Sequence, residues 1–385
     1  MSITLDAFTT QRVVPIAWRR AVTGDPDMDA PDIDHRGFAA PYPGSVTGVQ
    51  EGRTVRVKML RRRVDLTANL FVTSSDTSIL QIVEPADGRV PAEAEPDIHF
   101  RGVDGGSDKR DAKIEIRLDS ATGPVIGVLF VWVFTPVLVR LAPQMITIAG
   151  PSGASPTAPI ADLTAIVPLV RAVWIHSGVS FSVTAPRSKT IRLAAPGRVS
   201  DNPFPGELST LLADNWPDGT PNWAPSTINA YFVRQIGTGS TLGYGFSRSS
   251  FATFGLPNPG IILGDQTAGG GRTGVMHWAN DLAHEIGHFF TLWHPEQLQP
   301  PNELEDTWSR QRLMHNFNGM RGHTPWPSST GNPPQPFQFR PRFNEADYGN
   351  LRRGCFVSYK DLPQLTQDDE ATRARTTITS SAGPY

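Results

Sequence analysis

Apolar and polar residues alternate in short runs along the first third of the chain. In "TVRVKML" (54–60) Val55, Val57 and Met59 occupy every second position, and in "AKIEIRL" (112–118) Ile114, Ile116 and Leu118 do the same. A period of two places those side chains on one face of an extended segment and the intervening residues on the other. "LTANLFVTS" (66–74) and "SILQIVE" (78–84) also have β character, whereas "VIGVLFVWVF" (125–134) is apolar throughout and stops at Thr135 and Pro136. The last run is of strand length and predicts a buried strand.

Turn-forming clusters, "DGR", "GVDGGSD" and "ATGP", separate these runs at sandwich-like intervals, and helical periodicity is nearly absent. Residues 1–148 are therefore expected to form an all-β sandwich of two sheets, immunoglobulin-like in type, with a barrel as the alternative. "AGPSGASPTAP", starting at residue 149, has nothing to bury and predicts a linker over 149–160.

Residues 161–385 follow a different pattern. "PLVRAVWIHSG" (168–178) gives a helical face through Leu169, Val170, Val173 and Trp174, with Pro168 suited to the first helical position and Gly178 to the C-cap. Strand-like runs follow at "VSFSV" (179–183), "KTIRLA" (189–194), "INAYFVRQI" (228–236) and "GIILGD" (260–265), with a short helical candidate at "GELSTLLADNW" (206–216). Helix and strand in alternation predict an α+β unit, so the whole chain is read as multidomain. "LTQDDEATRART" (365–376), with Thr366 as N-cap, predicts a closing helix.

The composition narrows the function. With 35 basic and 37 acidic residues and a net charge of -2, the 385-residue chain offers no global field for nucleic acid or anionic lipid. No stretch reaches the roughly 18 apolar residues of a membrane helix, and the N-terminus lacks the charged-then-apolar pattern of a secretory signal. Synthesis in the cytoplasm is expected, and any export would take a non-classical route. The single cysteine, Cys355, excludes an intramolecular disulfide framework and a cysteine-rich zinc cluster.

The chemistry is concentrated in "DLAHEIGHFFTLWH" (281–294). His284 and His288 are four apart, so on a helix both imidazoles project from one face and can reach one ion. Neutral imidazole nitrogens suit Zn²⁺, and a catalytic zinc keeps three protein ligands and a position for water. Glu285 flanks the same face, where a carboxylate can take a proton from that water. His294 lies six residues past His288, about 600° of rotation and roughly 9 Å of rise on an unbroken helix. For His294 to join the other two, the helix must end near Phe290 to Leu292 and the chain must turn back.

These residues resemble the metzincin zinc-protease signature, in which His-Glu-x-x-His is followed by x-x-Gly-x-x-His. The resemblance implies that His284, His288 and His294 are the zinc ligands, that Glu285 is the general base, and that Met314 in "RLMHNF" supplies the Met-turn. The order of "INAYFVRQI", "LGYGF" and "GIILGD" ahead of the helix looks most like the pappalysin-type members. The implied activity is hydrolysis of peptide bonds in a protein or peptide substrate, with Zn²⁺ as cofactor. Thr291 departs from the pattern. It stands where the family has a glycine, and a β-branched residue in a left-handed turn costs about 1–2 kcal/mol.

Rival readings remain. A downstream carboxylate, Glu296, Glu303, Glu305 or Asp306, would replace His294 in a thermolysin-like arrangement, but prolines break that stretch. A zinc-containing binding module without catalysis is a second possibility, although Glu285 would then have no use. An effector or toxin exported to act on another cell is a third. If "GIILGD" borders the cleft, Ile261, Ile262 and Leu263 would hold an extended peptide by β-pairing; a plain core strand is the equal alternative. His277 is assigned a structural or supporting place, and Arg61, Arg62 and Arg63 a solvated strand edge or hairpin. The β domain is expected to bind a partner, position substrate or assist delivery.

Overall fold

A computed structural model describes residues 15–20, 45–62, 64–151, 159, 161–238, 241–266, 275–292, 375 and 377–378. Most of the closing helix expected at 365–376, all but Arg375, and most of the 149–160 linker lie outside them. The described chain is mostly strand, with few helices, and separates into two compact units: residues 1–136 with 176–178, and residues 137–175 with 179–385.

Among the described residues the first unit holds eight strands: β1 (Ile16–Arg20), β2 (Ser45–Gln50), β3 (Thr54–Arg61), β4 (Leu70–Ser74), β5 (Leu80–Glu84), β6 (Asp97–Gly102), β7 (Lys109–Leu118) and β8 (Val125–Phe134). They form two four-stranded sheets, ordered β1-β3-β6-β5 and β2-β8-β7-β4. Every pairing is antiparallel except that of β2 with β8. One core lies between the sheets. Val55, Val57 and Met59 of β3 and Phe100 of β6 enter it from one sheet, and Val72, Ile114, Ile116 and Leu129 from the other, all at most 2% exposed. The alternate residues of β3 face outward, where Lys58 pairs with Asp97 at 2.9 Å. Arg61, first of the three adjacent arginines, reaches the loops: Nη1 donates to Asp65 O and Nη2 to Pro91 O, both at 2.9 Å.

The second unit contains β9 (Val137–Ala149), α1 (Leu163–Trp174), β10 (Val179–Val183), β11 (Arg187–Arg192), β12 (Arg198–Val199), α2 (Leu208–Leu211), β13 (Ile228–Ile236), β14 (Gly243–Phe246), β15 (Gly260–Gln266) and α3 (Val275–Phe289). The sheet runs β10-β9-β13-β15-β14, with β11 added along β9 and β12 along β13. All of its pairings are parallel except that of β14 with β15. The units part after Pro136, well before residue 148, because β9 pairs with β10, β11 and β13 and so belongs to the second sheet.

Helix α1 begins earlier than Pro168. Asp162 is its N-cap, accepting the Thr164 backbone N–H at 3.0 Å and the Thr164 hydroxyl at 2.6 Å, and Pro168 sits inside the helix. The cap satisfies an orphan donor that proline at the first position would only have removed. Burial of Ile166, Val167, Val170 and Trp174 carries the helix past the bond that Pro168 cannot make. Gly178, at φ 73°, closes the 3-10 turn that follows. Only a single turn, α2, forms within 206–216. Among the described residues no helix is long and apolar enough to cross a membrane.

Candidate metal centre

Helix α3 carries the histidine motif and is pinned at several points. Trp278 Nε1 donates to Asp265 O of β15 at 3.1 Å. Trp174 of α1 donates to Ala283 O at 3.3 Å, and its ring meets Phe290 edge-on with centroids 5.4 Å apart. Leu282, Ala283, Ile286 and Phe289 are at most 1% exposed, so the helix is held by burial as well as by these bonds.

The other face of α3 is polar. His284 and Glu285 are buried, and His288 is half-buried one turn on. The two imidazole rings lie 4.7 Å apart, centre to centre, and nearly perpendicular at 87°. His288 Nδ1 is 2.8 Å from Leu292 O. A carbonyl can only accept, so Nδ1 carries a proton, and in the neutral ring the lone pair is then on Nε2. Orientation of a ligating histidine by a carbonyl on its other nitrogen is a usual feature of metal sites.

Strand β14 lies directly against this face. A Cβ added at Gly243 would come within 2.6 Å of Glu285 Cγ and 2.7 Å of its Oε1; one added at Gly245 would meet Glu285 O at 2.3 Å and His288 Cβ at 2.8 Å. The strand approaches that closely only because both positions lack a side chain. In register, Gly243 faces Leu263 and Gly245 faces Ile261, so those two β15 residues share the α3 side of the sheet.

The end of α3 explains the departure at Thr291. Leu292 N–H donates to Gly287 O at 3.0 Å and Thr291 N–H to His288 O at 2.9 Å. This is the double bond pattern of a Schellman cap, with Thr291 in the left-handed position at φ 66°. The threonine thus adopts the conformation for which glycine is favoured, and the helix ends where a third ligand from beyond Leu292 would require.

Of the residues singled out in the sequence, the structure brings the His284 and His288 rings together, with Glu285 buried on the same helix. His294 and Met314 lie outside the described residues, as do Glu296, Glu303, Glu305 and Asp306. Among the described residues no set of three metal-binding side chains gathers. The donor pair that is present nonetheless fits a zinc ion: two neighbouring imidazoles on one face, one of them oriented through its second nitrogen, with a buried glutamate next in sequence to the first.

The expectation for Ile261, Ile262 and Leu263 is corrected. Their strand is interior, paired with β13 on one side and β14 on the other, and the three side chains are at most 1% exposed. Both backbone edges of β15 are used, so it cannot take up a peptide; among the described residues β14 is the edge of this sheet. Gly243 and Gly245 were not singled out as site residues. Glycine at alternate positions of "GYGF" signals the close approach of another backbone.

No known family profile matches this sequence, and no curated protein does. Among solved structures, mature mirolysin from Tannerella forsythia, in complex with a cleaved peptide, is similar at 13% identity over 41% of this chain and 64% of that one, with a TM-score of 0.29. A sialyltransferase from Photobacterium damsela is similar at 11% identity over 51% of this chain and 36% of that one, with a TM-score of 0.20. The chain thus spans less than two thirds of either. At these scores neither likeness bears on the fold or the activity.

Proposed function

We propose that the second unit is a zinc-dependent endopeptidase of metzincin type. The observation that carries this reading is the α3 face. It presents the His284 and His288 rings 4.7 Å apart with Glu285 buried beside them, and it ends in a left-handed turn ahead of His294. In this reading His284, His288 and His294 would hold the ion, and Met314 would supply the Met-turn.

A zinc ion held there would supply Lewis acidity, acidifying water and polarising the scissile carbonyl. The chain's own contribution is proton transfer and orientation. Glu285 takes a proton from the attacking water and delivers it to the leaving amine. Gly243 sets the carboxylate's position by leaving room for its stem, and Leu292 O fixes the His288 ring. The substrate is a protein or peptide.

The strand order of the first unit supports an immunoglobulin-like assignment. Two antiparallel sheets share one core, one of four strands ordered as A-B-E-D and the other as C-F-G with an added strand parallel to the last. We assign this domain to holding a partner or positioning substrate.

The test is cleavage of casein and a gelatin film by the wild type, by Glu285→Ala and by a chelated sample. Wild type should cleave, and the other two should not, while Glu285→Ala keeps one zinc per chain. Stoichiometric zinc with no cleavage of any substrate tested would favour the silent binding module instead.

A further inference from the structure

The turn after α3 is not held by its own residues alone. Thr377, from a helical segment 86 positions downstream, donates its hydroxyl to Phe290 O at 2.9 Å and lies 2.9 Å from Thr291 Oγ1. Thr291 Oγ1 in turn lies 2.6 Å from Phe290 O. Two hydroxyl protons fill two of the three contacts at a time, so Phe290 O always accepts from at least one of the pair when Thr377 donates to it. Phe290 O is one of the carbonyls that a helix end leaves without an intrahelical partner, and the bonds from Leu292 and Thr291 already satisfy Gly287 O and His288 O. Arg375 and Ile378, 1% and 6% exposed, bury the segment that carries Thr377.

We infer that Thr377 and Thr291 are positioning residues for the metal centre, their paired hydroxyls performing the task that a glycine would perform at the left-handed position. A β-branched residue at φ 66° is disfavoured by its own side chain. Here that same side chain supplies the hydroxyl by which the downstream segment grips the turn. The turn decides the direction in which the chain leaves toward His294, two positions past Leu292, and it holds the carbonyl that orients His288. Loosening the grip therefore loosens two of the proposed ligands together. The inference rests on the zinc-site reading for its effect on metal, but the grip itself is independent of metal.

The experiment measures zinc affinity, by competition with a chromophoric chelator, and the melting of the chelated protein. It compares wild type, Thr377→Val, Thr377→Ser, Thr291→Gly and the double variant Thr291→Gly with Thr377→Val. Loss of one hydrogen bond predicts a weakening of zinc binding by about five- to tenfold in Thr377→Val. Thr377→Ser should return affinity to within about twofold of wild type, since it keeps the hydroxyl. In the Thr291→Gly background Thr377→Val should cost more than in the wild type, because Thr377 is then the one hydroxyl of the pair left on Phe290 O. The chelated protein's melting should follow the same coupling.

An equal loss from Thr377→Val in both backgrounds, or unchanged affinity in Thr377→Val when the wild type binds zinc, would overturn the inference. If the wild type binds no zinc, the zinc-site reading fails. The melting of the metal-free variants then decides the grip alone: coupling between the two positions upholds it and additivity refutes it.

Discussion

The two glycines of β14 differ in what an added methyl group would strike, and that difference can be measured. At Gly245 the obstacle is backbone: a Cβ would come to 2.3 Å from Glu285 O, inside a buried helix that cannot yield, and to 2.8 Å from His288 Cβ. Overpacking of this kind costs about 1–3 kcal/mol, and the contact places Gly245→Ala near the upper end. Reduced freedom of the unfolded chain returns about 0.4–1 kcal/mol, leaving a net loss of about 2 kcal/mol. For a unit of this size that lowers the melting midpoint by about 4–8 °C. At Gly243 the obstacle is the Glu285 side chain, with Cγ at 2.6 Å and Oε1 at 2.7 Å, and a side chain can swing aside. The rotamer cost of about 0.5–1.5 kcal/mol nearly cancels the entropic gain, so Gly243→Ala should melt within a degree or two of wild type. Its carboxylate would nevertheless be displaced by ~1 Å, which can lower kcat by about a hundredfold. Calorimetry on both alanine variants, with kcat on a quenched fluorescent peptide, separates the cases. Equal melting of the two, or wild-type kcat in Gly243→Ala, would refute the claim that β14 positions the carboxylate.

Two further outcomes follow from the same geometry. His288→Ala removes the ring that Leu292 O orients and should abolish stoichiometric zinc binding, measured by atomic emission after dialysis, while leaving the first unit's far-ultraviolet dichroism intact. The Asp162 carboxylate is held below the usual carboxylate range, first by the Thr164 hydroxyl and then by the Thr164 backbone N–H. A depressed folded-state pKa gives stability that is present above the ordinary aspartate pKa and lost as pH falls through the folded-state value. Asp162→Ala should therefore lower the melting midpoint at pH 7, and the difference from wild type should shrink as the sample is acidified below pH 4. A difference that does not change with pH would refute the charged cap.

Strands with strict alternation were legible in the sequence. Val55, Val57 and Met59 face one core because the period of two leaves them no other side, and β8 and β13 match the runs 125–134 and 228–236. The His-Glu-x-x-His pair was legible for the same reason, since helical spacing alone puts His284 and His288 together. Long-range facts were hidden. That β9 belongs to the second sheet depends on partners at 179–192 and 228–236, and that β15 is interior depends on β14 being added beyond it. The strain expected at Thr291 was readable, but its relief was not, because Thr377 is remote in sequence.

Strand β9 also governs how the molecule can be divided. It offers Val137 to Leu141 to β10, Leu141 to Met145 to β13, and Gln144 to Ala149 to β11, so three strands take their register from it. The glycine- and proline-rich stretch just after it looks like the natural place to cut. A fragment begun there would leave those three strands without their template and expose a gap through the middle of the sheet on which the candidate site is built. A fragment begun at Val137 keeps the template, so in this protein the conspicuous hinge in the sequence and the seam in the architecture are different places.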